Sequence, residues 1–245
     1  MAYALITRGD DAGVSRSAHA AIAQCATVGI LRNASLMAPG PACHDAVEVL
    51  RLVPGLCLGL HFTLTCEWDW PRFGPPAGFN WLDADGGFPH RCESLTERAA
   101  PIEELVGELS RQLDLVTSLG ADIRYIDQHM GVGWIPGLGE AIRAFCQRKG
   151  LIDGDAHAHL RRPQAQDYPA SMCALLDQLP DTGSGIVLGH PCLDDDEMAA
   201  FHGPGLARGS VGPDRAGQAS LFTDPAVVAR MEARGIVPSR YDQVA

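Results

Sequence analysis

The run Leu56-Cys57-Leu58-Gly59-Leu60-His61-Phe62-Thr63-Leu64 constrains the fold most, because it offers no polar face until His61. A strand that is apolar on both faces is one covered on both sides, as in a parallel sheet flanked by helices. Residues 3–7, 30–37, 123–127, 156–160, 185–189 and 236–237 are further short segments that read as strands. Helical signals separate them. Ser15 or Ser17 caps a helix to about residue 28, which Gly29 ends, and residues 42–52 form a second. Pro101 at a first helical position is followed by Ile102, Leu105, Val106, Leu109, Leu113, Val116 and Leu119 at helical spacing, and Gly120 closes that helix. Others are expected at about 136–149 and 169–179, and from a cap at Asp224 through Pro225 to Gly235.

Strands and helices that alternate in this way predict a parallel sheet with helical crossovers. About seven strands in 245 residues suit an irregular (β/α) barrel, one α/β domain over 1–245, with an open doubly wound sheet as the alternative. Residues 66–100 break the pattern. They carry Trp68, Trp70, Phe73, Phe79, Trp81 and Phe88 among prolines and glycines, without periodicity, and read as a long ordered loop.

A net charge of -11 argues against nucleic acid and anionic membranes as partners. No apolar run is long enough to span a bilayer, and Arg8 with two acids interrupts the N-terminus too early for a secretory signal, so a cytoplasmic protein is expected. The eight cysteines form no CxxC pair and several sit in apolar runs, which suits reduced, buried thiols.

Polar residues then stand out by position. Asp10 and Asp11, His61, His129 and His190 each fall at or near the C-terminal end of a predicted strand. In an α/β barrel those ends converge on one rim. Taken alone, the acidic pair fits an Asx turn with two solvated carboxylates, and a lone histidine fits a structural role. Together they offer one carboxylate and two imidazoles to a divalent ion, leaving coordination positions open, and a second carboxylate to act as base toward water. Such a donor set suits zinc, manganese, cobalt and, less well, magnesium. His19, His44, His90, His157, His159 and His202 read as surface or supporting residues, and Asp194-Asp195-Asp196-Glu197 as a solvated helix start.

The segments Asp10-Asp11-Ala12-Gly13, Gly59 to Leu64, Asp127-Gln128-His129 and His190-Pro191, in that order, make the chain similar to the YdjC-like carbohydrate deacetylases, which include chitooligosaccharide deacetylases. Weaker echoes lie in residues 82–88, Arg162-Pro163 and Arg215. The resemblance implies an irregular (β/α) barrel related to NodB-type polysaccharide deacetylases. It implies one divalent metal held by Asp11, His61 and His129, with Asp10 as general base. His190 would protonate the departing amine or stabilise the oxyanion. The sequence leaves an exchange of roles between Asp10 and Asp11 open. The implied reaction removes an N-acetyl group from a small acetylated sugar, releasing acetate.

Arg8, Trp68, Trp81, Arg162 and Arg215 are the expected substrate contacts, the indoles because their faces can pack on a sugar ring. Arg8 beside the carboxylates either lowers their pKa, binds an acidic substrate group or points away from them. The chain departs from the family pattern at Arg8-Gly9, where Asn-Ala is common, and at Ala12, where Phe is common. Met130-Gly131-Val132-Gly133 stands where further histidines are frequent, and Cys192 where a glycine follows His-Pro. These departures bear on the substrate more than on the reaction. Two other readings stand beside it: a metal-dependent hydrolase of another amide or a phosphoester, and a non-catalytic metal-binding barrel. A homo-oligomer is compatible with any of them.

Overall fold

The computed structural model describes residues 2–75, 78–161, 163 and 167–244. Its central strand is β1 (Tyr3–Ala12). β2 (Asn33–Leu36), β3 (Cys57–Phe62), β4 (Ile123–Gln128) and β5 (Ile152–Asp153) follow on one side and β6 (Gly183–Gly189) lies on the other. All pairings are parallel, in the spatial order β5-β4-β3-β2-β1-β6. β7 (Val237–Ser239) pairs with the first half of β1, below the point where β2 begins its own pairing. Asn33 ties that junction together: its side-chain nitrogen donates to the Thr7 and Ser239 carbonyls, and its oxygen accepts from the Tyr241 backbone N–H.

The sheet curls because one short segment reaches both of its edges. β5 pairs with β4, and a few residues later Ala158 and Leu160 bond the backbone of Ile186 on β6, each at 2.9 Å. The strand expected at 156–160 is therefore only a bridge. Regular pairing falls instead on β5, which leaves the barrel irregularly closed.

Helices cover the outside. They are α1 (Arg16–Val28), α2 (Cys43–Leu50), α3 (Glu93–Glu97), α4 (Ile102–Ser118), α5 (Leu138–Lys149), α6 (Tyr168–Gln178), α7 (Asp196–Ala199), α8 (Val211–Thr223) and α9 (Pro225–Arg234). α4 runs as its spacing predicts, burying Leu105, Leu109, Leu113 and Val116 behind Pro101. The acidic run before α7 is tethered as well as exposed. Asp195 caps α7, and Glu197 accepts from the backbone N–H groups of Arg16 and Ser17 at the start of α1. Of the two roles expected for His19 the structure gives the supporting one: it is buried on α1, which packs against α2, α8 and α7.

Strand alternation divides the apolar side chains into two sets. Leu5, Leu58, Leu60, Phe62, Ile126 and Val187 face the helices. Ile6, Cys57, Tyr125, Ile186 and Tyr241 fill the barrel interior. Gly59 makes the second set possible, since a Cβ there would stand 2.3 Å from the Tyr125 ring. The segment between β3 and α4 packs as a small aromatic unit, with Phe79 edge-on to Phe88 and Arg72 clamped by Asp83 and Asp85. All eight cysteines are unpaired, and six of them are buried. Among the described residues no helix is long and apolar enough to cross a membrane.

Candidate active site and metal centre

The inward columns of the barrel carry the polar residues upward from its apolar floor. On β1 the column runs Ile6, Arg8, Asp10; on β3 it runs Cys57, Gly59, His61. From β4 it runs Tyr125, Asp127 and on to His129, and from β6 Ile186, Leu188 and His190. Alternation alone would send Asp11 outward with Gly9. The backbone prevents this: Asp11 has φ 61, and the β1–β2 register shifts between Gly9 and Ala12. Aspartate tolerates this left-handed conformation better than most residues, at a cost of about 1 kcal/mol or more.

Asp11 Oδ1 lies 3.3 Å from His61 Nε2 and 3.4 Å from His129 Nδ1, and the two nitrogens are 3.2 Å apart. All three side chains are buried, and Asp11 Oδ1 makes no hydrogen bond. The far nitrogen of each imidazole is directed at a carboxylate: His61 Nδ1 stands 3.1 Å from Asp127 Oδ2, and His129 Nε2 stands 2.9 Å from Glu67 Oε2. Those carboxylates draw the ring protons to themselves and turn the remaining lone pairs toward Asp11. A buried carboxylate oxygen without a donor, faced by two imidazole lone pairs, suits a divalent cation.

Electrostatics agree with that reading. Burial disfavours the charge on Asp11, but the Arg215 guanidinium, followed by the adjacent His129 and His61 rings, holds its carboxyl well below the usual range. Burial likewise opposes charge on the imidazoles. Asp127 and Asp11 outweigh it at His61, raising it well above normal, while Glu67 and Asp11 push His129 up to about 9.

Asp10 has a different neighbour. Arg8 Nε donates to its Oδ1 at 2.6 Å and Nη2 to its Oδ2 at 3.0 Å. The same Nη2 is 3.0 Å from Asp127 Oδ2, and Nη1 donates to the Tyr241 hydroxyl. Asp10, His61 and Asp127 also come close enough to share a cation, but the Arg8 guanidinium already provides one. Arg8 therefore turns its fork on the protein's own acids and does not present it to an anionic ligand.

His190 is positioned by Gln218 of α8, whose Oε1 accepts from the His190 backbone N–H at 2.8 Å and stands 3.1 Å from Nδ1. Gln218 in turn donates to Asp214, which accepts from the Tyr168 hydroxyl. From the same helix Arg215 reaches Asp11 Oδ2 at 2.8 Å and lies 5.2 Å above the Trp68 ring. These groups share one cleft of about 1450 Å3 at the C-terminal end of the barrel, lined also by Trp134, Arg143, Asp153 and Asp155.

Of the expected substrate contacts, Arg8, Trp68 and Arg215 line this cleft, although Trp68 is only 2 % exposed. Trp81 does not. It packs against the outer core and its N–H is bonded to Glu104 of α4, so its loop position carries it away from the rim. Arg162 lies outside the described residues. Sequence reasoning missed Glu67 and Gln218, which hold the two histidines in place. One follows a strand by five residues and the other lies in an unpredicted helix, so no local signal marks either.

Comparison with known proteins agrees with this geometry. Residues 4–233 match the family model described as YdjC-like protein. The chain is 29% identical over 244 residues to a carbohydrate deacetylase of Geobacillus stearothermophilus, covering 94% of each chain. It is 28% identical over 188 residues to a chitooligosaccharide deacetylase of Enterobacter sp. (strain 638), covering 73% of this chain and 71% of that one. Among solved structures, an Enterococcus faecalis V583 protein described as one proposed to cleave cellobiose phosphate superposes with TM-score 0.83. At 19% identity and 99% coverage of both chains it shares the fold.

Proposed function

The chain belongs to the YdjC-like family, and on that premise we propose that it is a metal-dependent carbohydrate deacetylase. It would hydrolyse the N-acetyl amide of an amino sugar or short oligosaccharide, as the names of its relatives suggest. The observation that carries the reading is the donorless Asp11 Oδ1 facing two imidazole nitrogens whose far sides are bonded to carboxylates.

Asp11, His61 and His129 would hold the ion, with zinc, manganese or cobalt favoured over magnesium by the two imidazoles. A bound divalent cation supplies Lewis acidity toward water and an acyl carbonyl. Asp10, fixed by the Arg8 fork, is the base that takes a proton from water as its oxygen forms a bond to the acetyl carbon. His190 holds its Nδ1 proton on Gln218, which aims Nε2 at the departing nitrogen. As the C–N bond breaks, that nitrogen takes the Nε2 proton of His190, which acts as the imidazolium and keeps its Nδ1 proton on Gln218, and acetate and the free amine leave. Arg8 being occupied by Asp10 and Asp127 weakens the anionic-substrate alternative.

The test is acetate release from N-acetylglucosamine and its short oligomers. Protein stripped of metal and reloaded with one divalent ion at a time is compared with His61→Ala. The reading expects turnover restored by metal and absent in the variant. Tight metal binding without acetate from any acetylated sugar overturns it.

A further inference from the structure

We infer that Tyr241 is a positioning residue for the proposed base: its hydroxyl holds the back of the Arg8 guanidinium, so that the fork stays on Asp10. This rests on the deacetylase reading and deepens it, because it traces the placement of Asp10 to the segment after β7, far from Asp10 in sequence.

Arg8 and Asp10 share the inward column of β1, above the apolar floor made by Ile6 and Cys57. The guanidinium has two sides there. Nε and Nη2 meet Asp10, and Nη2 also lies 3.0 Å from Asp127. Nη1 has a different partner and donates to the Tyr241 hydroxyl at 2.9 Å. Asp155 Oδ1, 3.8 Å from Nη1, is beyond hydrogen-bond reach and lines the cleft. A guanidinium is rigid and planar, so the contact that fixes Nη1 also fixes the directions of Nε and Nη2. Without the hydroxyl the remaining pull on Nη1 is that of Asp155, which draws the plane away from Asp10.

Tyr241 is itself held from several directions. It opens a short turn, Tyr241–Gln243, and is fully buried. Its backbone N–H donates to Asn33 Oδ1 of β2 at 3.0 Å. Its ring centroid lies 4.1 Å from that of Tyr125, whose own hydroxyl is bonded to Ser35. The Tyr241 hydroxyl donates to the Gly154 carbonyl at 2.9 Å. Gly154 is fixed in turn, since its N–H donates to the Ile126 carbonyl at 2.8 Å and a Cβ there would stand 2.9 Å from that oxygen. The hydroxyl proton is therefore committed to backbone, and a lone pair is left for Arg8. Burial pushes the Tyr241 hydroxyl up against the opposing effect of Arg8, so it stays a neutral group that donates and accepts at once. Phenylalanine would keep the ring and lose both bonds.

The experiment is a double-mutant cycle of Tyr241→Phe with Arg8→Met, read in two ways. The first is acetate release from N-acetylglucosamine and its short oligomers by metal-loaded protein. The second is thermal unfolding of the metal-free protein. Tyr125→Phe serves as the matched control, because it removes a buried hydroxyl from the neighbouring ring that makes no bond to Arg8. The inference expects Tyr241→Phe to lower kcat roughly 10–100-fold with KM and ion affinity retained. Tyr125→Phe lowers Tm and leaves kcat within about twofold of wild type. In the Arg8→Met background, adding Tyr241→Phe changes kcat by less than about twofold, and lowers Tm by less than it does in the wild type. A kcat for Tyr241→Phe no lower than that of Tyr125→Phe overturns the positioning role, as do losses that multiply in the double mutant. If Arg8→Met does not fold, the comparison of Tyr241→Phe with Tyr125→Phe decides alone. Acetate from no acetylated sugar with any ion overturns the deacetylase reading, and the role of Tyr241 toward a base falls with it.

Discussion

Replacing Arg8 with methionine tests how the site is held together. Methionine keeps much of the volume and removes the fork. Arg8 is 2% exposed and contacts two buried carboxylates, Asp10 and Asp127, at 2.6 to 3.0 Å. Removing one partner of a buried charge pair costs about 3–5 kcal/mol, because the other charge stays buried and uncompensated. For a chain of this length each kcal/mol shifts Tm by about 2–4 °C, so a drop of roughly 6–20 °C is expected in thermal unfolding. Arg8→Lys retains the charge without the fork and falls between.

The same variant separates positioning from substrate binding. If Arg8 holds Asp10, its loss releases the base, and a displacement of about 1 Å can lower kcat on the order of a hundredfold. KM for an uncharged sugar then moves little. A residue that bound an anionic substrate group would raise KM and leave kcat nearly intact. A Tm within about 2 °C of wild type, or a loss confined to KM, refutes the argument.

Three further outcomes follow from the same geometry. Glu67→Gln weakens the acceptor that orients His129, so ion affinity measured by chelator competition falls roughly 10–100-fold; unchanged affinity removes Glu67 from that role. His190→Asn lowers kcat roughly 10²–10⁴-fold with ion affinity retained, separating proton delivery from metal binding. Without metal, His129 is raised to about 9 and His61 is also raised, so their charge contributes stability that is complete below the unfolded pKa of about 6.5 and is lost as pH rises through about 9. Chelated protein should therefore lose Tm across that window while ion affinity, which requires those protons to leave, tightens; a flat Tm contradicts the shifts.

Much of this was legible in the sequence, for specific physical reasons. Periodicity located β1, β3, β4 and β6, and their last residues supplied the polar side chains that converge at the rim. α9 lies where Asp224 and Gly235 punctuate it. What escaped was set by contacts distant in sequence. α8 carries Gly212, Pro213 and Gly217, and its buried Arg215 and Gln218 face the site instead of an apolar core, so no amphipathic stripe announces it. Trp81 shares the composition of Trp68, and only the packing of the loop separates one that lines the cleft from one bonded to α4. The inward turn of Asp11 was also hidden, because alternation alone points it to the helices.

The charges around that turn explain why a divalent ion suits the site. Asp10, Asp11, Asp127 and Glu67 bring four carboxylates to one buried cluster, and Arg8 and Arg215 answer two of them. Two negative charges remain, facing His61 and His129. In the absence of metal the imidazoles can neutralise them only by taking up protons, which is the direction in which both are shifted. A divalent cation held by neutral imidazoles neutralises the same charge while placing it at one point, beside Asp11 and in reach of the cleft. A monovalent ion would leave the cluster short by one charge. On the proposed reading the adjacent acids differ in what they leave open: Arg8 holds both oxygens of Asp10, whereas Arg215 holds Oδ2 of Asp11 and leaves its Oδ1 for the exchangeable ion.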